Sequence, residues 1–179
     1  YAVLAVRLVI EMSVIVTLAP FFEPSTTATI GPFVTPTAAF LLPVYAYNSF
    51  AVGASASLAS HAATDFTKQA KIPSFAFNDH NLITALANDY GYGQVFTREI
   101  NALANQNDVF VPISTSGNSP NVLDAIVAAK SNGVHTVVAF TGAGGKIRDI
   151  FEAIIVPADS TEKIQEVHIM LGHILCYLI

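Results

Sequence analysis

Residues 108–121 read DVFVPISTSGNSPN. The apolar run Asp108 to Ile113 enters a loop from Ser114 to Asn121, and a helix-like run follows from Asn121 to Lys130. That order predicts a strand, a turn and a helix N-terminus, where free backbone N–H groups and the helix dipole favour an anion. Four hydroxyls in the loop, those of Ser114, Thr115, Ser116 and Ser119, suggest phosphate. Ser119 can cap the helix, Pro120 suits its first turn, Gly117 permits a tight loop and Gly133 can end the helix. Hydroxyls are common at helix caps, so this stretch alone is also compatible with an ordinary strand-to-helix turn.

Outward from this loop the chain alternates. Val44–Tyr47, Ser74–Phe77, Asp108–Ile113, Val134–Phe140 and Ala153–Val156 read as strands. Ser55–Lys71, Asn81–Asp89, Asn121–Lys130, Lys146–Phe151 and Thr161–Ile179 read as helices, the last capped by Asp159 or Ser160. Such alternation implies an α/β fold, a parallel sheet covered by helices on both faces. Ligands bind beyond the C-terminal ends of the strands in these folds, which places the Ser114 loop and the loop before Ser55 in one pocket.

Composition narrows the functions. A chain of 179 residues, 53% of them hydrophobic, is long enough for one domain with one core. Only 12% are charged and the mean hydropathy is +0.53, values that predict surface buried between subunits. The net charge of -5, with Lys and Arg scattered, leaves no basic face for nucleic acid. Cys176 is the sole cysteine, so no internal disulfide forms, and its apolar surroundings predict an inert core thiol in a reducing, cytoplasmic setting. Tyr1 to Ala19 is almost wholly apolar, but Arg7 and Glu11 interrupt it and can pair four residues apart on one helix face. The expectation is a helix buried at an oligomer interface and not a membrane span or signal peptide. Phe21 to Pro43 carries Pro24, Pro32, Pro36 and Pro43, which disfavour a continuous helix.

Two pairs of residues could carry chemistry. His61 and Asp65 are four apart and share a helix face; Gln165 and His173 are eight apart on the terminal helix and lie roughly on one side of it. By spacing alone the first pair reads as a surface pair and His173 as a satisfied core residue. His168 falls on another face and reads as structural or interfacial. Thr141 to Lys146 (TGAGGK) lacks the first Gly and the final Ser or Thr of a nucleotide-binding P-loop, so no nucleotide cofactor is expected and the turn reads as a structural connection.

The Ser114–Asn121 loop resembles the phosphosugar-binding loop of the sugar isomerase (SIS) domain. Ser55–Phe66 (SASLASHAATDF), Thr84–Tyr92 (TALANDYGY) and Ile164–Cys176 (IQEVHIMLGHILC) extend the resemblance to the phosphoheptose isomerases, in family order. It implies a three-layer αβα sandwich, flavodoxin-like or Rossmann-like, formed as a single SIS domain over 1–179. Residues 1–43 would be its helical interface segment and 44–179 its phosphosugar-binding core, in a homotetramer. The implied activity is conversion of sedoheptulose 7-phosphate into D-glycero-D-manno-heptose 7-phosphate, for ADP-heptose and lipopolysaccharide core synthesis. The positions matching His61, Asp65, Gln165 and His173 line that family's site, and some members hold zinc there. Asp65 is implied as base and His173 as acid. Val52, Gly53, Ala54, Ser55, Asp65, Asn88, Asp89, Ser114, Thr115, Ser116, Ser119 and Gln165 are implied substrate contacts. The family has Glu where this chain has Asp65, and Gly-Asn-Gly-Gly where it has Ala51–Ala54. Both departures fit the alternative of a non-catalytic SIS protein similar to the DnaA initiator-associating factors.

Overall fold

The computed structural model describes residues 47–51, 54–143 and 145–178. The expected interface helix, the proline-rich stretch, Val44 to Ala46, Val52 and Gly53 lie outside them. The elements run β1 (Tyr47–Ala51), α1 (Ser55–Asp65), β2 (Ser74–Ala76), α2 (His80–Tyr90), α3 (Val95–Leu103), β3 (Val109–Ser114) and α4 (Pro120–Ser131). They continue with β4 (Thr136–Val137), β5 (Ala139–Gly142), α5 (Lys146–Ile150), β6 (Ala153–Val156) and α6 (Thr161–Leu178). A π-helical turn, Phe66–Ala70, extends α1 and ends at Lys71, whose φ is 57°.

Every strand pair is parallel, in the order β2-β1-β3-β5-β6, with β4 also beside β3. The single strand expected at Val134–Phe140 is thus two short ones, and between them Val138 N donates to Phe110 O at 3.1 Å. Central β3 shows why its sequence is apolar without alternation. Val109, Val111 and Ile113 enter one core with Ala59, Ala62, Phe66, Leu175 and Cys176 of the α1/α6 layer. Phe110 enters the other, with Val95, Phe96 and Ile100 of α3 and Val122, Ala125 and Ile126 of α4. A strand buried on both faces needs hydrophobic side chains at every position. The three-layer αβα architecture follows.

The helix α3 has no counterpart among the expected elements. Its buried positions are Val95, Phe96, Glu99 and Ile100, so a carboxylate interrupts the apolar pattern that would reveal it. Neither oxygen of Glu99 has a hydrogen-bond partner among the described residues, and burial, then the charge of Asp79, pushes its carboxyl up to about 7. Asp79 caps α2, accepting from Leu82 N at 2.8 Å. Among the described residues, no helix is long and apolar enough to cross a membrane.

Candidate active site

The chain leaves β1 toward β2 on one side and later returns to β3 on the other, so β1 and β3 flank the point where the sheet order reverses. Ligands bind at such points in open parallel sheets. Ala51 pairs with Ile113, which sets the start of α1 beside the loop after β3.

That loop is tightly determined. Gly117, at φ 64°, donates its N–H to Ser114 O at 3.0 Å. Asn118 N donates to Ser116 Oγ at 3.2 Å, and Asn118 Nδ2 returns a bond to Ser116 O at 3.2 Å. Ser119 occupies the N-cap position of α4, but its side chain makes no cap bond. Its Oγ lies 3.0 Å from that of buried Ser114 instead, which corrects the expected cap and gathers two hydroxyls at the helix N-terminus.

The glycine-rich turn after β5 holds this loop from behind, as a structural connection would. Gly142 N donates to Thr115 O, and Ile147 N to Gly117 O, both at 3.1 Å. Lys146 N donates to Asn118 Oδ1, also at 3.1 Å. At Gly145, with φ 92°, a Cβ would lie 2.3 Å from Ser116 O, so only glycine permits the approach. Asn118 and Gly145 escaped assignment from sequence because the Asn118–Lys146 bond and the close approach of Gly145 to Ser116 join segments far apart in the chain.

The second half of the site lies between α1 and α6. Ala59 and Ala62 share a core cluster with Leu175 and Cys176, and a Cβ on Gly172 would stand 3.7 Å from that of Ala62, so the helices meet through small side chains. Their rims bring three groups together. His61 Nε2 is 3.2 Å from Asp65 Oδ2, His173 Nε2 is 3.3 Å from the same oxygen, and the two imidazole nitrogens are 3.0 Å apart. His61 is exposed, and Asp65 and His173 are half-buried, so the cluster faces solvent.

Two imidazoles and one carboxylate oxygen at these spacings could hold a cation, since all three ligand atoms lie within 4.8 Å of one another. Tetrahedral zinc with ligands at roughly 2.0–2.1 Å places neighbouring ligand atoms about 3.3 Å apart, close to the separations seen here. The donor set therefore fits zinc.

The other predicted residues fall into place unevenly. Gln165, on α6, donates from Nε2 to buried Ser55 Oγ at 3.2 Å, linking the helix to the start of α1 and not to the histidines. Ala54 is exposed just before α1, whereas Val52 and Gly53 lie outside the described residues. Asn88 and Asp89 are exposed at the end of α2, where Asn88 Nδ2 donates to Asp89 Oδ1 at 2.9 Å, and among the described residues no hydrogen bond joins them to the cluster or the phosphate loop. Cys176 is buried, its thiol pushed up by burial and then by the Asp65 charge, in keeping with an inert core role. His168 is structural as expected: it is buried and bonds to Thr141 O.

The chain is similar to known proteins in sequence and in fold. Residues 49–142 match the SIS domain family. A phosphoheptose isomerase of Helicobacter pylori (strain HPAG1) is 47% identical over 131 residues, 69% of this chain and 68% of the relative. One from Sulfurimonas denitrificans is 41% identical over 134 residues, 71% and 69% of the two chains. The solved phosphoheptose isomerase from Neisseria gonorrhoeae superposes with a TM-score of 0.69 at 38% identity, covering 74% of each chain.

Proposed function

The chain belongs to the SIS-domain family, among the phosphoheptose isomerases, and from that premise we infer that it is an aldose–ketose isomerase converting sedoheptulose 7-phosphate into D-glycero-D-manno-heptose 7-phosphate. The observation that carries the reading is the meeting of His61, Asp65 and His173 between α6 and α1, the helix that starts next to the phosphate-type loop. The reaction moves one proton between carbons and one between oxygens. A base takes a proton from C1 of the ketose, the electron pair forms the C1=C2 bond, and the C2 oxygen is protonated; reprotonation at C2 with loss of the O1 proton gives the aldose.

Asp65 is the base at carbon. Its Oδ2 faces both imidazoles, and Oδ1, 3.5 Å from Gln69 Nε2, is left to take the proton. His173 moves the proton at oxygen. Zinc, held by His61, Asp65 and His173 with the amide oxygen of Gln165 as the further ligand while its Nε2 stays on Ser55, would polarise the carbonyl when bound. Ser55, Ser114, Thr115, Ser116 and Ser119 hold the phosphate, whose remote binding energy positions the sugar. The loop at Val52, Gly53 and Ala54 and the Asn88–Asp89 pair complete the substrate contacts. The non-catalytic alternative is not favoured, because the chemical groups are assembled and the relatives are isomerases.

A single domain over 1–179, acting in the cytoplasm for ADP-heptose and lipopolysaccharide synthesis, is the setting. The assembly is a homotetramer with residues 1–43 at its interface; low charge and the exposed Met170, Ile174, Tyr177 and Leu178 of α6 support burial between subunits. The test of function is incubation with sedoheptulose 7-phosphate, with and without zinc, following aldose formation. No aldose in either condition would reject the isomerase reading.

A further inference from the structure

We propose that His168 is a positioning residue: it ties the helix bearing Gln165 and His173 to the glycine-rich strap that holds the phosphate loop. It thereby sets the distance between bound phosphate and the proton-transfer groups. The inference rests on the isomerase reading for its kinetic consequences, but the contacts that carry it stand apart from that reading.

His168 lies on α6 at 2% exposure, with Nε2 3.3 Å from Thr141 O and its ring tilted over Phe140 at a centroid distance of 5.6 Å. A carbonyl only accepts, so Nε2 bears the hydrogen and Nδ1 the lone pair. Nδ1 has no partner among the described residues. A hydrocarbon would fill the same space without stranding a polar atom, so packing alone gives no reason for an imidazole here. The bond to Thr141 does. Burial holds the ring at about 4, which keeps it a neutral, single donor across the neutral range.

The strap transmits this hold. Immediately after Thr141, Gly142 is gripped from two sides: a Cβ there would lie 2.5 Å from Thr115 O and 2.8 Å from Ile164 Cδ1. One side is the phosphate loop and the other is α6. Further along, Lys146 N and Ile147 N bind Asn118 Oδ1 and Gly117 O. Phosphate loop, strap and α6 form a continuous stack, and His168 is the side-chain bond that joins its last two layers.

The test separates the two ends of that stack. In His168→Leu, kcat should fall about tenfold, as small misplacements of reacting groups do. The inhibition constant of inorganic phosphate should stay within about twofold, since the strap still grips the loop. His168→Gln, whose amide can donate to Thr141 O, should restore most of kcat. Gly145→Ala should do the reverse, weakening phosphate about tenfold or more by displacing Ser116 and Gly117. Zinc titration provides a readout independent of turnover: affinity should drop in His168→Leu and recover in His168→Gln. Should His168→Leu not fold, His168→Asn, too short to reach Thr141 O, replaces it against His168→Gln. Equal losses in the Leu (or Asn) and Gln variants, or wild-type kcat and zinc affinity in a folded Leu variant, would overturn the proposal. An inactive wild type would reject the isomerase reading instead, and the zinc comparison would still decide the role of His168.

Discussion

His61 Nε2 and His173 Nε2 lie 3.0 Å apart, with the rings nearly edge to face at 62°. Two neutral imidazoles can share that distance only if one donates and the other accepts; when a cation takes the place of that hydrogen, both Nε2 atoms and the Asp65 carboxylate oxygen turn three lone pairs toward one point. Such a cluster is suited to a proton or a cation, and it draws its members from two helices that only the folded chain brings together.

Zinc should bind at one equivalent per chain, read by calorimetry or metal analysis after dialysis. His61→Ala and His173→Ala should each cost more affinity than the roughly 10–100-fold typical for loss of an outer partner, because a ligand itself is removed. Unchanged stoichiometry and affinity in both variants would remove the cluster as a metal site.

Asp65→Asn keeps the shape but removes the base, so kcat should fall about 10²- to 10⁴-fold with KM little changed. Asp65→Glu, restoring the family's longer carboxylate, should keep or raise activity. Loss of activity in the Glu variant as deep as in the Asn variant would show that the carboxylate is not the base.

Replacing Ser116 and Ser119 together by Ala should raise KM for the phosphorylated sugar. A hydrogen bond to a charged group is worth about 1.5–3 kcal/mol, which corresponds to about 10- to 150-fold. Unaltered affinity for the sugar phosphate in the double variant would displace the phosphate from this loop.

Glu99 should make stability depend on pH. Its folded carboxyl titrates at about 7, above the ordinary 4.5, so the folded chain holds the proton more tightly than the unfolded one. Its contribution is fully present below pH 4.5 and is lost as the pH rises through 7. Glu99→Gln should therefore match wild type in urea unfolding near pH 4.5 and exceed it above pH 8 by up to about 3 kcal/mol. A gap of the same size at both pH values would mean that ionisation is not the cause.

Much of the architecture was legible because the rules involved are local. Asp108–Ile113 is apolar throughout because β3 is covered on both faces, and Gly117 with Pro120 marks the turn into α4. The α3 helix was hidden because Glu99 takes a core position. Ser119 was misjudged because the hydroxyl of Ser114, five residues back in the loop, competes successfully with the cap bond. Spacing alone reads His61–Asp65 as a surface pair and His173 as a core residue; the family resemblance marks the set, and neither gives the detail that Asp65 reaches His173 while Gln165 bonds to Ser55. Contacts between α1 and α6 depend on how Ala62 meets Gly172, and no local pattern encodes that.

The bond between His61 and His173 spans 112 residues of chain. A cation held there would act as a reversible crosslink, closing a loop whose ends diffuse widely in the unfolded ensemble. Chelation would then loosen more than the chemistry: α6 would lose a tether to α1, and the local opening that parts the two helices would cost less.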